Sequence, residues 1–259
     1  MKLKALCLGM GMLCSLSSFA ATQLRYGLEA EYPPFESRNA SGELEGFDID
    51  LGNAICKAAE LKCSWVETSF DALIPGLTAK KYDAINSAMN ITEKRRESID
   101  FTQPIYRIPS QLVGKAGDGM EATAEGLKGK TIGVLQGSIQ ETYAKEHWEK
   151  HGVTVVSYKD QNMAWSDLLN GRIDASLVMS AAGQAGFLSK PQGKGFGFIG
   201  KPVSDDTILG SGIGFGLRKG DEATKKQLDA AIDKVRADGT IKTLAEKYFP
   251  GIDVSVSAK

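Results

Sequence analysis

The sequence predicts an α/β protein built from two similar lobes, and three observations support this prediction. Short strand patterns alternate with helical patterns along the chain, which is typical of mostly parallel sheets covered by helices. The segments AKKYDAINSA and NGRIDASLVM both pass from a helix end, through an Asp-Ala pair, into a strand, so the second half repeats the plan of the first. With 259 residues, the chain is long enough for two small lobes.

The first twenty residues, MKLKALCLGMGMLCSLSSFA, have the pattern of a secretory leader. Two early lysines precede an apolar run, and the small residues Ser18 and Ala20 stand where a signal peptidase cuts. We therefore predict that residues 1–20 are a signal peptide and that the mature protein is exported. No later segment approaches the ~20 apolar residues that a membrane helix needs, so a soluble mature protein is expected.

Composition narrows the classes of function. A net charge of −1 offers no electrostatic reason to expect nucleic acid or a membrane surface as a partner, and nothing in the sequence suggests more than a monomer. Cys56 and Cys63 are the cysteines that remain after the leader. Two neighbouring cysteines in an exported protein usually form a disulfide, and two free buried thiols are the alternative.

The first half begins with strand LRYGL and a loop, EAEYPPFES, whose paired prolines exclude a helix. The next helix is predicted by apolar residues at helical spacing, Phe47, Leu51, Ala54, Ile55 and Ala58. The alternation in CSWVET predicts a strand. A further helix is expected from Asp71 to about Ala79, and AINSAMN is expected to be a buried strand.

The second half contains strand KTIGVLQ, a helix from about Ser138 to His151, strand VTVVSY, helix MAWSDLLNG and strand ASLVM. Links near residues 109–114 and around 207–216 are expected to join the lobes. The last helices, broken at Asp238-Gly239, are expected to pack back on the first lobe. We therefore predict that lobe 1 comprises residues 21–109 and 209–259, and that lobe 2 comprises residues 110–208.

Two short motifs are weak indicators of a cofactor or a metal. GSGIGFG has a glycine at every second position, whereas a dinucleotide-binding loop needs G-x-G-x-x-G at the start of a helix. This period predicts a strand that bends between the lobes. His147 and His151 in HWEKH lie one helical turn apart, but no acid directly follows the first histidine, so a solvated helix end is expected. No cofactor or metal is predicted.

Three polar segments follow predicted strands: EAEYPPF, NSAMNITEKR and QGSIQET. In open α/β sheets, ligands bind outside the carboxyl ends of the strands. In the third segment, Gly137 allows the chain to turn, and Ser138 can cap a helix whose free N–H groups favour an anion. A ligand cleft between the facing lobes is the consequence.

Six segments in the same order resemble the exported solute-binding proteins of ABC transporters for polar amino acids, especially the lysine/arginine/ornithine-binding and histidine-binding members. They are YPPFE with GELEGFDIDL, FDALIPGLTAKKYDAI, NITEKRRESIDFT, GVLQGSIQET, NGRIDA and ADGTIKTLAEKYF, and they span essentially the whole mature chain. The resemblance implies the two-lobed periplasmic binding protein fold, with two crossover hinge strands that let the lobes close over one ligand. It also implies a periplasmic location, an amino acid or derivative as ligand, ABC transporter permease subunits as partners, and capture without catalysis.

The resemblance also assigns the residues that hold the ligand's main chain. Arg95 in the T-E-K-R segment clamps the α-carboxylate, in a two-pronged contact that a lysine cannot copy. The neighbouring cations of the same segment are expected to be solvated. The resemblance further implies that backbone amides of the second and third polar segments complete the carboxylate site, those of Ala88 and Asn90 in the second and that of Ile139, next to Ser138, in the third.

For the ligand side chain, the resemblance points to Glu29 as the acid that faces a distal cation, and to Tyr32 and Phe70 as aromatic walls. A guanidinium stacked between two rings and paired with a carboxylate suits arginine, and lysine or ornithine can also pair with Glu29. That Tyr32 and Phe70 are ordinary core residues is the alternative. Ser87 and Gln140 are expected to line the site as polar residues.

Two positions depart from the family pattern. Where members carry an Asp after NGRIDA that accepts the α-ammonium, this sequence has Met179, and the Ser that helps this Asp is replaced by Asn90. An unpaired ammonium in a closed cleft would cost about 2–5 kcal/mol. Three explanations stay open. Asn90, Ser180 or a water accepts the ammonium; the ligand is an opine such as octopine, whose α-nitrogen is substituted; or the ligand is an arginine-derived acid without the ammonium.

Two functions of other classes are also considered. Exported dehydratases that act on prephenate or arogenate share this fold, and Glu29 is the obvious candidate for the general acid they need. A ligand-sensing module that feeds a receptor is the second, but such modules usually come fused to a membrane span and a signalling domain, which the sequence does not contain. Binding of a cationic amino acid or its derivative is the function predicted first.

Overall fold

The computed structural model describes residues 23–256, and the predicted signal peptide at residues 1–20 lies outside them. The strands are β1 Gln23–Leu28, β2 Glu31–Tyr32, β3 Glu36–Arg38, β4 Leu44–Glu45, β5 Lys62–Glu67, β6 Ala84–Ile85, β7 Asp100–Phe101, β8 Ser110–Lys115, β9 Thr131–Leu135, β10 Thr154–Tyr158, β11 Ala175–Met179, β12 Phe196–Val203 and β13 Gly216–Leu217. The α-helices are α1 Phe47–Ala58, α2 Leu73–Thr78, α3 Glu93–Arg96, α4 Ile139–His147, α5 Gln161–Leu169, α6 Ser180–Gly183, α7 Asp206–Leu209, α8 Glu222–Ala237 and α9 Thr240–Tyr248. None of these helices has both the length and the apolarity needed to cross a membrane.

The strands form two five-stranded sheets and one small three-stranded sheet, β2-β3-β4. The first large sheet has the order β5-β1-β6-β13-β7, in which β1 is parallel to β5 and β6, and β13 is antiparallel to its neighbours. The second has the order β10-β9-β11-β8-β12, in which β9 is parallel to β10 and β11, and β8 is antiparallel to its neighbours. Each sheet carries its own helices, so the predicted two-lobed α/β fold is confirmed.

The repeated Asp-Ala pair has the same structural role in both sheets. Asp83 precedes β6, and its Oδ2 accepts a hydrogen bond from the backbone N–H of Arg25 at 3.1 Å. Asp174 precedes β11, and its Oδ2 accepts a hydrogen bond from the backbone N–H of Thr131 at 2.8 Å. Each aspartate therefore ties the start of its own strand to the parallel strand beside it, β1 in one sheet and β9 in the other.

Two crossing segments, residues 102–109 and 204–215, connect the two large sheets. They are hydrogen-bonded to each other in the antiparallel sense. The Ile105 N–H donates to the carbonyl oxygen of Ile213 at 2.7 Å, and the Ile213 N–H donates to the carbonyl oxygen of Tyr106 at 2.7 Å. The lobes are therefore joined by a paired ribbon, which is the arrangement of a hinge with two strands.

The two predicted links differ in how well they match the crossing segments. The link expected at residues 109–114 is wrong, because Ser110–Lys115 forms β8 inside the second sheet. The link expected around residues 207–216 falls on the second crossing segment. There Gly210 has a φ of +77°, and a Cβ at this position would lie 2.1 Å from the carbonyl oxygen of Ile91. Only glycine fits where this segment passes Ile91.

Two predicted elements are shorter than expected. AINSAMN is a strand only at Ala84–Ile85, because the chain turns at Ala88, whose φ of +45° is left-handed. Residues 86–91, which follow this strand, form the β6 loop. The helix predicted from Ser138 to His151 ends as α4 at His147 and continues only as a 3-10 turn. A left-handed turn therefore replaces the second part of the predicted strand, and a 3-10 turn replaces the end of the predicted helix.

The last two helices, α8 and α9, pack on α1 of the first lobe. The chain breaks between them at Gly239, which has a φ of +82°. Asp50 Oδ2 accepts hydrogen bonds from Lys247 Nζ at 2.9 Å and from the Tyr248 hydroxyl at 2.7 Å. Phe249 is buried against the aromatic core of this lobe, and burying such a ring stabilises the fold by about 1.5–3 kcal/mol. The C-terminal helices are thus part of the first lobe's core.

Cys56, in the last turn of α1, and Cys63, in β5, form a disulfide, which confirms the predicted pairing. The bond joins residues separated by 7 positions in the sequence. Closing so short a loop removes entropy from the unfolded chain and stabilises the folded state by about 2–3 kcal/mol. We therefore expect the Cys56→Ser/Cys63→Ser double variant to lose this amount of unfolding free energy in urea titrations under oxidising conditions.

A reductant provides the control for this stability prediction. Added reductant should lower the stability of the wild-type protein to that of the double variant, and it should leave the variant unchanged. Equal stability of the two proteins before reduction would contradict the prediction.

Candidate functional site

Most of the predicted site residues meet at one small cavity between the lobes. Its lining comprises Tyr32, Phe70, Ala88, Asn90, Arg95, Leu135, Ser138, Ile139, Gln140 and Met179. Most of these residues stand at or after the carboxyl ends of parallel strands, where ligands bind in α/β sheets. Glu29 and Ser87 are also buried but do not line this cavity. Glu29 instead lines a larger cavity of about 880 Å³, whose walls come from both lobes.

Arg95 is a buried cation that has no acidic partner among residues 23–256. The hydroxyl of Thr92 caps α3 by accepting the Arg95 backbone N–H at 3.2 Å, which places the side chain toward the cleft. Its Nη1 donates to the carbonyl oxygen of Asn90 at 2.8 Å, and its Nη2 donates to the carbonyl oxygen of Gly137 in the other lobe at 3.0 Å. Burial lowers the pKa of the guanidinium to about 10, so it stays charged at neutral pH. A buried charge without a counter-ion is costly, and an anionic ligand would offset this cost.

The two neighbouring cations have ordinary surface contacts. Lys94 Nζ lies 3.0 Å from Glu97 Oε2, and Arg96 Nε lies 3.7 Å from Glu93 Oε1. Both pairs are exposed and lie three residues apart on one helical turn, so each contributes only about 0.2–0.5 kcal/mol. Of the three consecutive cations, Arg95 is the one that faces the cavity.

Backbone N–H groups lie beside Arg95 at the start of α4. Ser138 caps this helix, since its hydroxyl accepts the Glu141 backbone N–H at 3.0 Å. The N–H groups of Ile139 and of Asn90 donate to no acceptor among the described residues. Free N–H groups at a helix N-terminus attract an anion, and a guanidinium beside them adds a full charge. This corner of the cavity is therefore suited to a carboxylate.

Ala88 does not have the role that the family resemblance implied. Its N–H donates to Asp48 Oδ2 at 2.6 Å, so it has no hydrogen left for a ligand carboxylate. Ala88 still lines the cavity through its other atoms. The expectation that its amide completes the carboxylate site is therefore wrong, because a buried acid within the lobe already binds that amide.

Glu29 is a buried acid without a hydrogen-bond partner for either carboxylate oxygen among the described residues. Its backbone N–H donates to Ser87 Oγ at 3.0 Å, which fixes the main chain after β1. Burial, with smaller contributions from the charges of Asp160 and Glu31, raises the pKa of Glu29 to about 8. A cation placed beside this acid would both satisfy the carboxylate and restore its charge.

The two predicted aromatic walls both line the cavity, and both also have protein partners. Tyr32 stacks on Phe35 with ring centroids 5.5 Å apart, and its hydroxyl accepts the Met179 backbone N–H at 3.3 Å. The guanidinium of Arg95 lies over the ring of Phe70, with its central carbon 5.5 Å from the ring centroid. Tyr32 is thus both a wall of the cavity and a core residue, and Phe70 supports Arg95.

The two predicted polar residues differ in position. Gln140 lines the cavity, and its Nε2 donates to Ser110 Oγ at 2.8 Å. Ser87 does not line the cavity, contrary to expectation. Its hydroxyl donates to Glu36 Oε1 at 2.7 Å and accepts the Glu29 N–H, so its hydrogen-bonding capacity is used within the lobe.

Met179 ends β11 in the cavity wall and offers no acceptor for an ammonium. Asn90 lies in the same wall, and its Nδ2 donates to the carbonyl oxygen of Leu209 at 3.2 Å. This orientation leaves Asn90 Oδ1 buried without a hydrogen-bond partner among the described residues. The hydroxyl of Ser180 is likewise buried and has no hydrogen-bond partner among them. Both oxygens are available to accept hydrogen bonds.

Hydrogen bonds between the lobes show that the cleft is closed. Besides the contacts of Arg95 with Gly137 and of Tyr32 with Met179, Gln136 Nε2 donates to Asp71 Oδ2 at 3.2 Å. At the cleft mouth, the Asn162 side-chain amide donates to Glu31 Oε2. The small size of the inner cavity follows from this closure.

Sequence reasoning did not identify three buried residues behind the site. Glu36, Asp48 and Tyr106 form hydrogen bonds to the β6 loop or to one another. Asp48 lies beside Phe47 on the face of α1 that packs into the core, and this position was the available signal. An acid on the apolar face of a helix needs a buried partner, so it indicates a polar network.

No group of three metal-binding side chains exists within residues 23–256. His147 is partly exposed, and its Nε2 lies 2.8 Å from Asp205 Oδ2.

A closed cleft between two α/β lobes, with a buried cation and a buried acid that have no oppositely charged partner within residues 23–256, defines a protein that encloses a small charged ligand. The family model of bacterial extracellular solute-binding proteins, family 3, matches residues 24–251, and the chain belongs to this family. The family resemblance seen in the sequence is thereby confirmed.

Individual relatives agree with this assignment. The chain is 46% identical over 247 residues to the lysine/arginine/ornithine-binding periplasmic protein of Escherichia coli (strain K12), covering 95% of each chain. It is 46% identical over 253 residues to the histidine-binding periplasmic protein of the same strain, covering 95% of this chain and 97% of that protein. Among solved structures, it matches a Salmonella typhimurium periplasmic binding protein of high arginine specificity with a TM-score of 0.82 and 33% identity, covering 88% of this chain and 100% of that one.

Proposed function

We propose that this protein captures a cationic amino acid, such as arginine, lysine, ornithine or histidine, in the periplasm for uptake by an ABC transporter. One observation carries the proposal: in the part of the chain that the structure describes, the closed cleft contains a buried guanidinium without an acid and a buried acid without a cation. A ligand with a carboxylate at one end and a cation at the other complements both. The names of the relatives, which bind lysine, arginine, ornithine or histidine, support the same ligand class.

Each end of the ligand has a proposed partner. The α-carboxylate binds the guanidinium of Arg95 and the N–H groups of Asn90 and Ile139. The distal cation pairs with Glu29, and Tyr32 and Phe70 flank the chain between them. Arg95 already contacts both lobes, so a carboxylate bound there strengthens the closed state.

The α-ammonium has no acid to pair with in this arrangement, since Met179 stands where the family pattern has an aspartate. We assign it to Asn90 Oδ1, which is buried in the cavity wall and has no hydrogen-bond partner among residues 23–256. A neutral oxygen accepts a weaker hydrogen bond than a carboxylate does. The ammonium therefore contributes less to affinity than either end of the ligand. The relatives' ligands favour a plain amino acid over an opine or an arginine-derived acid.

The mechanism is capture and delivery. The ligand binds in the open cleft, the paired crossing segments allow the lobes to close, and the closed form docks on the permease subunits. The relatives reported above are named as binding proteins, so we propose that Glu29 pairs with the ligand and performs no dehydration. Incubation with prephenate should yield no phenylpyruvate.

Ligands that each lack one charged group test this proposal. Calorimetry should give the tightest binding for L-arginine and a modest loss for 5-guanidinopentanoate, which lacks only the ammonium. Agmatine, which lacks the carboxylate, and norvaline, which lacks the guanidinium, should each bind weaker by about 2 kcal/mol or more. Agmatine binding as tightly as L-arginine would contradict the proposed carboxylate site.

Binding of a cationic ligand is expected to release a proton from Glu29. The pKa of about 8 keeps this acid mostly protonated below pH 7 in the empty protein, and a bound cation lowers this pKa. Because the ligand prefers the ionised acid, its affinity rises with pH up to about pH 8 and then levels off. The slope approaches about tenfold per pH unit.

Calorimetry at pH 6.5 in two buffers of different ionisation enthalpy measures this proton release. The Glu29→Gln variant is the matched control, and it should show neither proton release nor this pH dependence. An affinity of the wild-type protein that stays constant between pH 6 and pH 8 would contradict the prediction.

A further inference from the structure

A carboxylate outside the cavity holds the β6 loop from behind. Asp48, the second residue of α1, is fully buried and does not line the cavity. Its Oδ2 accepts the Ala88 N–H at 2.6 Å, and its Oδ1 accepts the Tyr106 hydroxyl at 2.8 Å. Its backbone carbonyl accepts the side-chain amide of Asn86 at 2.8 Å. One residue therefore binds the β6 loop at two points and the first crossing segment at a third.

The N–H group that Asp48 binds belongs to a residue with an unfavourable backbone conformation, Ala88. A φ of +45° is left-handed, which residues with a Cβ disfavour. The turn at Ala88 sets the position of Asn90 two residues later, whose carbonyl accepts Arg95 Nη1. If the hydrogen bond to Asp48 were lost, Ala88 would be free to leave the left-handed region, and Asn90 would move with it.

A second buried acid supports the same loop. Glu36 Oε1 accepts the Ser87 hydroxyl at 2.7 Å. Burial, together with the charge of Asp48, raises the pKa of Glu36 well above its ordinary value. Burial also raises the pKa of Asp48, but the hydrogen bonds from Tyr106 and Ala88 oppose this effect and the pKa rises only to about 6. Asp48 is therefore the more readily ionised of the two acids, and a charged acceptor makes the stronger hydrogen bond to an N–H group.

The first crossing segment meets the loop at the same place. Tyr106, which donates its hydroxyl to Asp48, also pairs through its backbone with Ile213 of the second crossing segment. Ile213 in turn forms a bridge to Asn90. Asp48 thus supports Asn90 both through Ala88 and through the paired crossing segments.

We propose that Asp48 is a positioning residue for ligand binding, which holds Ala88 in its left-handed conformation and thereby keeps Asn90 in place beside Arg95. The inference rests on the proposed function, because Asn90 and Arg95 are taken to bind the ligand's main chain. Asp48 itself touches no ligand.

The test combines a disruption with a specific suppressor. Asp48→Ala is expected to weaken L-arginine binding by about tenfold to a hundredfold. The Asp48→Ala/Ala88→Gly double variant should bind L-arginine about fivefold more tightly than Asp48→Ala does, because glycine adopts the left-handed conformation without the penalty of a Cβ. Unchanged affinity in Asp48→Ala overturns the inference, and so does the absence of recovery in the double variant.

Two further variants separate positioning from general stability. Asp48→Asn is close in shape, and its oxygen can accept the Ala88 N–H while its NH2 group donates to Tyr106, so affinity should stay within about fivefold of wild type. A hundredfold loss in this variant overturns the inference even where the alanine variant fails to fold. Asp50→Ala, on the same helix, loses its contacts with Lys247 and Tyr248 and should lower the melting temperature without weakening binding by more than about threefold.

Amide hydrogen exchange distinguishes failure of this inference from failure of the proposed function. The Ala88 amide should be protected in the ligand-free wild-type protein and should exchange faster in Asp48→Ala. If the wild-type protein binds no cationic amino acid, the proposed function fails, while the exchange result still tests whether Asp48 holds Ala88. A rapidly exchanging Ala88 amide in the wild-type protein overturns the inference.

Discussion

Replacing Arg95 by alanine is expected to weaken L-arginine binding by about 2–5 kcal/mol, a loss of roughly thirtyfold to several thousandfold. The side chain is buried, charged and without an acid among the described residues, so the ligand carboxylate would be its only counter-ion there. The variant leaves that carboxylate buried without its guanidinium. It also removes the hydrogen bond to Gly137, which links the two lobes.

Three comparisons make this test specific. Arg95→Lys should lose most of the L-arginine affinity that Arg95→Ala loses, because an ammonium cannot form the two-pronged contact. Lys94→Ala, the exposed neighbour on α3, should bind normally. Agmatine lacks the carboxylate, so its weak binding should change little in Arg95→Ala. Calorimetry that finds L-arginine affinity within threefold of wild type in Arg95→Ala would remove this residue from the site.

The Glu29→Gln variant is expected to lose about 2–4 kcal/mol of affinity for arginine and lysine while keeping its affinity for the neutral analogue citrulline. Because the pKa of about 8 leaves Glu29 largely protonated in the empty protein at neutral pH, glutamine mimics that state. The fold should therefore be as stable as before. The loss is confined to the complex, in which the wild-type acid is ionised beside a cation.

Competition between arginine and citrulline measures the effect of Glu29 on selectivity. Glu31→Gln serves as the matched control, since Glu31 lies at the cleft mouth and bonds Asn162. It should change the arginine-to-citrulline ratio far less than Glu29→Gln does. An equal loss for arginine and citrulline in Glu29→Gln would show that this acid supports the fold and does not pair with a cation.

The fold could be predicted to a large extent because its signals are local. The helical spacing that begins at Phe47, the cap at Ser138 and the alternation in CSWVET each depend on residues a few positions apart. The Asp-Ala echo also proved informative, since both aspartates bind the neighbouring parallel strand. AINSAMN was predicted to be one buried strand, whereas only Ala84–Ile85 is a strand and the rest lies in the β6 loop. A short apolar segment does not by itself distinguish a buried strand from a packed loop.

The candidate site was predictable as a set of segments and less so as a set of contacts. The family resemblance directed attention to the loops that line the cavity, and Arg95, Asn90 and Ile139 lie there together. Their roles in binding a carboxylate stay predictions. Ala88 does not have the role predicted for it, because its amide is bound by Asp48, which lies 40 positions away in the sequence. Ser87 is likewise taken up by Glu36.

The sequence by itself determined the order of strands and helices, the two-lobed plan, the disulfide and the segments that reach the cleft. Only the tertiary structure decided that Arg95 contacts Gly137 across the cleft, that both oxygens of Glu29 lack partners among the described residues, and that Asp48 holds Ala88. The reason is physical. Secondary structure follows from backbone preferences and apolar spacing over a few residues, whereas the partner of a buried polar group is known only when distant segments have packed around it.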